Sequence, residues 1–237
     1  MIPARYASTR FPFKLMQKIS DKTIIRLTYE NTVATGLFDD VLVVTDHSLI
    51  FDEIAAVGGT AIMSKRQHES GSDRIAEAVA GIDTDIVVNV QGDEPFVSKK
   101  SLASLLAVFD TNENIQVASL MTAFSDSKTA ENPNIVKVVV DNEMRSLLFS
   151  RSVIPYYRDN EPKKFYEHIG IYAFRKHILL QFTKWLPTPL EMAEKIECLR
   201  YLEHGIPLKM VITDQAPIKI DVPEDLQRAI NYLNSMI

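Results

Sequence analysis

The sequence predicts an α/β protein with a mixed, mostly parallel central sheet, helices on both faces, and a smaller second lobe. Three observations carry this expectation. Through about residue 122, short apolar runs alternate with amphipathic segments, the pattern of a doubly wound parallel sheet. One run, Ile86-Val87-Val88-Asn89-Val90, has the continuous apolar character of a strand buried on both faces, and it stops abruptly at Gln91-Gly92-Asp93-Glu94-Pro95. Beyond residue 122 the alternation gives way to closely spaced strands. No Pro/Gly/Ser-rich linker divides the chain, so residues 1–237 are expected to form a single domain, with a first part over about 1–122 and a second lobe over about 123–215.

Taken in order, Met1-Ile2 reads as the tail of a first strand, short at its amino end, as if a few residues were missing there. Pro3 to Lys14 is a loop. Lys22 to Gly36 reads as a helix, with Asp21 as its N-cap and Gly36 as its C-cap. Val41–Val44 is a strand, Phe51 to Ala56 a helix closed by Gly58-Gly59, and Thr60–Met63 a strand. Ser70-Gly71-Ser72-Asp73-Arg74 opens the next helix, either as an acceptor-binding amino terminus or simply with Ser72 as cap. After the apolar strand come a helix over 101–109 and a strand over 117–121. Residues 135–140 and 146–149 read as a hairpin, 158–164 as a polar loop, and 168–174 as a strand. Helices over 176–185 and 191–204, strands over 208–212 and 218–220, and a final helix from Asp221-Val222-Pro223 complete the chain.

Composition narrows the function. Hydrophobic residues make up 46% and charged residues 24%, ordinary for a soluble chain with a full core. A net charge of −5 disfavours bulk attraction to nucleic acid or an anionic membrane. The one cysteine, Cys198, excludes a disulfide framework within the chain and a Cys-only zinc cluster. No apolar run reaches membrane-spanning length and the start lacks a signal-peptide core, so the expected location is cytoplasmic.

Charge is unevenly placed. Residues 1–20 carry Arg5, Arg10, Lys14 and Lys18 and no acid. The loop adds Ser8 and Thr9, side chains suited to gripping phosphate, yet it contains no glycine and is not a Walker A motif. His47, His68, His168, His177 and His204 show no zinc-binding spacing, and neither a Gly-x-Ser-x-Gly elbow nor a dinucleotide fingerprint is present. A basic loop after the first strand and acids at strand ends remain. This is a phosphoryl-transfer constellation, in which cations hold a polyphosphate and Mg²⁺ is aimed where charge develops. Asp93 lies at the carboxyl end of a core strand, where open α/β sheets bind ligands. On that stretch alone, a metal ligand and an ordinary turn-and-cap role stand level. For Asp221, the N-cap of the last helix is by itself a sufficient role.

The segments Ile2-Pro-Ala-Arg-Tyr-Ala-Ser-Thr-Arg10, Ser70-Gly-Ser-Asp-Arg74 and Asn89-Val-Gln-Gly-Asp-Glu-Pro95 resemble those of the CMP-Kdo synthetases, the 3-deoxy-manno-octulosonate cytidylyltransferases. So do Asn132-Pro-Asn-Ile-Val-Lys137, Phe149-Ser-Arg-Ser152, His168-Ile-Gly-Ile-Tyr172 and Asp221-Val-Pro-Glu-Asp225, in the same order along nearly the whole chain. The resemblance implies a nucleotide-diphospho-sugar transferase-like fold, CTP and Kdo as substrates, Mg²⁺ as cofactor, and a homodimer formed through the second lobe. It implies that Arg10 and Lys14 bind the triphosphate, with Arg5, Ser8 and Thr9 shaping the loop. Ser70, Gly71 and Arg74 would lie along the cytidine and Gln91 near the nucleotide. Asp93 and Asp221 would hold metal, and Arg151, His168, Tyr172 and Glu197 would surround the sugar acid in a cleft between the lobes. Phe13 stands where the family has glycine, and Cys198 where many members have glutamine. A related sugar acid, amino-Kdo or sialate, and a nucleotide-binding module without turnover are the alternative readings.

Overall fold

The structure is a computed structural model, described for residues 1–8, 11–68, 70–159, 162–214 and 218–235. Its elements begin with β1 (Ile2–Ala4), β2 (Lys18–Ile19), β3 (Lys22–Thr23), α1 (Ile24–Ala34), β4 (Leu42–Thr45), α2 (Ser48–Ala55), β5 (Thr60–Met63), α3 (Gly71–Val79), β6 (Ile86–Asn89) and α4 (Lys99–Thr111). They continue with β7 (Val117–Phe124), α5 (Ser127–Glu131), β8 (Lys137–Val140), β9 (Ser146–Ser150), β10 (Phe165–Arg175), α6 (Lys176–Phe182), α7 (Pro189–Glu194), α8 (Leu199–Glu203), β11 (Lys209–Ile212) and α9 (Pro223–Ser235). The chain divides into two compact units, one comprising Met1–Thr84, Val88–Leu102 and Pro217–Ile237, the other Asp85–Val87 and Ala103–Ala216. Residues 103–122, which the sequence groups with the first part, fold in the second unit because β7 finds its strand partners there.

The first unit is built on a parallel sheet. Ile2 of β1 stands opposite Val43 of β4, and Leu42 of β4 opposite Thr60 of β5. Met1 donates to the Val88 carbonyl at 2.9 Å and accepts from the Val90 N–H at 3.0 Å, the pattern of a parallel pair, so the end of β6 runs beside β1. The carboxyl ends of these strands therefore open on one edge. Ile2, Val43, Val44, Ile50, Ile54 and Ile75 are fully buried and form the core beneath it. α1 begins at Thr23, whose Oγ1 accepts from the Arg26 N–H at 3.2 Å, and not at Asp21, because the β2–β3 hairpin occupies the preceding residues. α3 is capped by Ser70 and not by Ser72, which lies buried within the first turn.

α1 also fixes the turn after β6. Thr28 Oγ1 lies 2.9 Å from the carbonyl of Ile24, one turn back, and 3.0 Å from the carbonyl of Gly92. Asn31 Nδ2 donates to the Pro95 carbonyl at 2.7 Å. Residues 218–220 form no strand; the Ile220 N–H instead donates to the Asp93 carbonyl at 3.1 Å. Glycine at position 92 answers to crowding. A Cβ there would stand 3.0 Å from the Pro3 carbonyl oxygen and 3.3 Å from both Ile25 Cδ1 and Leu15 Cδ1.

The second unit is organised on β10, which pairs antiparallel with β7 and β8 and also pairs with β6. β11 runs parallel to β7, and β8 and β9 form the expected hairpin. A register shift interrupts the β7–β10 ladder between Ile169 and Tyr172. The single helix expected over 191–204 is two. Lys195 takes left-handed backbone, φ 53°, and ends α7, and Cys198 then opens α8. Glu191 and Arg200 hold these helices together through hydrogen bonds of 2.5 and 2.7 Å, and the Arg200 guanidinium lies 4.1 Å from the centre of the Phe182 ring.

Gly92→Ala tests the crowding beneath the turn. Overpacking a filled site costs about 1–3 kcal/mol, to be read from urea unfolding. Gly81→Ala, where an added Cβ meets nothing within 4 Å, is expected to leave stability unchanged or slightly raised.

Candidate active site

At the carboxyl edge of the first unit lies an open pocket of about 280 Å³. β1 and its exit loop contribute Arg5 and Ser8, and the 3₁₀ turn Lys14–Met16 contributes Lys14. Ser70, Gly71 and Arg74 come from the start of α3, Gln91 and Asp93 from the turn after β6, and Asp221 from the segment before α9. The structure thus brings together the residues expected at the nucleotide, with Thr9 and Arg10 lying outside the described residues. α3 can approach so closely because Gly71 has no side chain: a Cβ would stand 3.1 Å from Pro3 Cγ.

The pocket floor is a charge cluster. The Lys14 ammonium donates to Asp93 Oδ2 and, at 3.3 Å, to Asp221 Oδ1. Lys219 Nζ lies 3.4 Å from the other Asp221 oxygen, Oδ2. Burial works to lower the Lys219 pKa, but the carboxylates of Asp93, Asp221 and Glu94 outweigh it and hold the ammonium above its ordinary value. Asp225 Oδ2 accepts from the Asp221 and Val222 N–H groups at 2.8 and 3.1 Å and so fixes the segment just before α9. Two carboxylates already converging on one cation are a donor set that fits Mg²⁺, which binds one or two protein carboxylates and takes its other ligands from water and phosphate. No cluster of three or more His, Cys, Asp or Glu able to hold a metal occurs among the described residues.

Arg74, in the pocket wall, is held from behind by Asp46, which follows β4 and which sequence reasoning missed. Asp46 Oδ2 accepts from Arg74 Nη2 at 2.9 Å and its Oδ1 from the Tyr6 N–H at 3.0 Å, while Arg74 Nη1 donates to Ser64 Oγ at 2.9 Å. His68, hydrogen-bonded to Glu77 at 2.8 Å, and Lys219 also line the pocket unforeseen. For Lys219 the available signal was a cation two residues before Asp221 in an extended run. Phe13 shows why glycine belongs at its position. It adopts left-handed backbone, φ 53° and ψ 33°, a conformation costly for residues with a side chain. Its half-exposed ring leans on Tyr6, centroids 4.7 Å apart, and Tyr6 in turn stacks on His47 at 3.8 Å.

The residues expected around the sugar acid lie in the second unit and fall into two groups. His168 and Tyr172 project from β10 with ring centroids 5.3 Å apart. Ser119 Oγ lies 3.0 and 2.9 Å from the carbonyls of Ile169 and Ile171, and 3.1 Å from His168 Nε2. A hydroxyl has one proton, which those carbonyls claim, so the imidazole Nε2 is the donor to Ser119. Burial, with Cys198 and Glu197 adding to it, pushes the Tyr172 phenol well above its ordinary pKa. Arg151 stands in the other group. Its guanidinium donates to the carbonyls of Glu194 at 2.7 Å and Lys195 at 3.3 Å, main-chain acceptors left open where the left-handed Lys195 ends α7, and to the Pro133 carbonyl, after α5, at 2.7 Å. Glu194 completes the clasp, accepting from Ser150 Oγ at 2.6 Å and the Arg151 N–H at 2.9 Å. Burial works to raise the Glu194 pKa, but these hydrogen bonds and the charges of Arg151 and Lys137 hold it below the ordinary value.

Fold and pocket define an α/β protein with a pocket of cationic and acidic side chains at the carboxyl edge of a parallel sheet. The model of the family described as Cytidylyltransferase matches residues 1–213, and the chain belongs to that family. A 3-deoxy-manno-octulosonate cytidylyltransferase of Flavobacterium johnsoniae is 58% identical, over 97% of this chain and 95% of the relative. One from Christiangramia forsetii is 54% identical, over 99% and 96%. Among solved structures, a CMP:2-keto-3-deoxy-manno-octonic acid synthetase complexed with CTP superposes with a TM-score of 0.95 at 34% identity, covering 100% of this chain and 98% of the other. A 4-diphosphocytidyl-2C-methyl-D-erythritol synthase from Anaerococcus prevotii shares the fold alone, with a TM-score of 0.60 at 16% identity.

At position 13, glycine is expected to be more stabilising than alanine by about 1 kcal/mol, since only glycine relieves the left-handed backbone; thermal unfolding of Phe13→Gly and Phe13→Ala gives the order. Glu194 contributes stability above its unfolded pKa of about 4.5 that is lost as pH falls through its lower folded value. Acid unfolding followed by circular dichroism is therefore expected to show a shallower decline below pH 4.5 in Glu194→Gln than in the native chain.

Proposed function

We propose that the chain transfers a cytidylyl group from CTP to 3-deoxy-manno-octulosonate (Kdo). The anomeric hydroxyl oxygen attacks the α-phosphorus, the bond to the bridging oxygen of the β-phosphate breaks, pyrophosphate leaves, and the hydroxyl proton passes to solvent. The products are CMP-Kdo and pyrophosphate. The observation that carries this reading is the pocket in which Lys14 meets Asp93 and Asp221 beside the cationic loop and the amino end of α3. The high identity to cytidylyltransferases for this sugar acid supports it.

Arg5 and Lys14 neutralise the triphosphate, and the first turn of α3 offers N–H groups to an acceptor on the nucleotide. Arg74, pinned by Asp46 and Ser64, keeps the wall beside it rigid. Asp93 and Asp221 would hold Mg²⁺, which when bound supplies Lewis-acid stabilisation of phosphoryl charge. His168, Tyr172 and Glu197 are the sugar-acid contacts of this reading. Arg151, also a sugar-acid contact of this reading, is held by its contacts to the carbonyls of Glu194, Pro133 and Lys195. The reading extends to a homodimer, a cytoplasmic location and a supply of activated Kdo for lipopolysaccharide. No helix of the described residues is long and apolar enough to cross a membrane.

The test is pyrophosphate release with Mg²⁺, each nucleoside triphosphate in turn, and Kdo, amino-Kdo or sialate. Release is expected with CTP and Kdo, reduced about a hundredfold or more in Asp93→Asn, whose fold should be unchanged. Absence of release with CTP and any octulosonate would overturn the reading.

A further inference from the structure

We propose that Lys14 is a built-in counter-cation for the Asp93–Asp221 pair, which a divalent cation must displace and which moves to the nucleotide phosphates when they arrive. The inference rests on the function proposed above and concerns what the site does before substrate binds. Two carboxylates held close together repel each other unless a cation lies between them. Lys14 is that cation, and it takes one oxygen from each acid, Asp93 Oδ2 and Asp221 Oδ1. The second Asp221 oxygen faces Lys219. A divalent ion drawn to the same two carboxylates meets the Lys14 charge already there, and the two cations repel each other.

The chain around Lys14 permits exchange without refolding. Its backbone is fixed: the Lys14 N–H donates to the Phe11 carbonyl at 3.2 Å, and the next side chain, Leu15, is buried. The lysine stem is flexible and its head is a compact point charge with three donors, so rotation of the side chain alone releases the acids. Arg5 and Ser8 line the same pocket and mark where phosphate oxygens would receive the ammonium. Metal and nucleotide should then bind cooperatively: phosphate draws Lys14 off the acids, and metal pushes it toward phosphate, with reciprocal effects on affinity.

Mn²⁺ is the probe, its free concentration read by electron paramagnetic resonance against nucleotide-free protein. Lys14→Gln is expected to bind Mn²⁺ about tenfold tighter or more than the native chain, the effect of removing one adjacent cation from a carboxylate. Lys14→Arg, which keeps the charge, should stay near native, and Lys219→Gln should gain less than Lys14→Gln. Adding Asp93→Asn to Lys14→Gln should remove the gain. Equal or weaker Mn²⁺ binding by Lys14→Gln, or an equal gain from Lys219→Gln, overturns the proposal. Pyrophosphate release by the native chain is measured separately. Turnover without a Lys14 effect on Mn²⁺ sinks this inference alone, whereas a Lys14 effect without turnover sinks the proposed reaction and leaves the competition standing.

Discussion

Two carboxylates share one lysine ammonium, and much of the first unit serves to hold them there. Asp93 sits on a turn whose carbonyls are claimed by Thr28 and Asn31 of α1 and by the Ile220 N–H. Asp221 precedes α9, where Asp225 ties down its own N–H and that of Val222. Lys14 is delivered by a short turn that begins in a strained left-handed residue. Each member comes from a different part of the chain, so the cluster forms only when the parallel sheet and both helices are in place.

Arginine and lysine do different work in the second unit. Lys137 is fully buried, and its ammonium donates to the carbonyls of Asn132 at 3.1 Å, Ile135 at 2.7 Å and Arg151 at 2.5 Å. The Arg151 guanidinium satisfies three further carbonyls. Irregular chain leaves main-chain acceptors without ladder partners, and burying them unpaired is costly. Long cationic side chains answer that need, so the Arg151 position is held by backbone geometry as well as by any ligand.

What the sequence discloses follows from how local each constraint is. The apolar run ending at Asp93, the hairpin of β8 and β9, and the basic loop are patterns within a few residues, and the structure contains all three. The break between α7 and α8 escapes such reading because Lys195, not glycine, takes the left-handed conformation. Thr28 and Asn31 look like ordinary residues of a helix, and their contact with the turn joins positions 64 residues apart. Asp46 and Lys219 belong to the site only through tertiary proximity. Phe13 was visible as a departure, but its φ and its rest against Tyr6 were not.

The proposed exchange sets one ammonium against one divalent cation over Asp93 and Asp221. A crystal structure of the chain with Mg²⁺ and CTP addresses it most directly. The account predicts a metal ion on Asp93 and Asp221, with Lys14 Nζ withdrawn from both carboxylates and within hydrogen-bond distance of a phosphate oxygen. Lys14 remaining on both carboxylates, with the metal bound elsewhere, would contradict it.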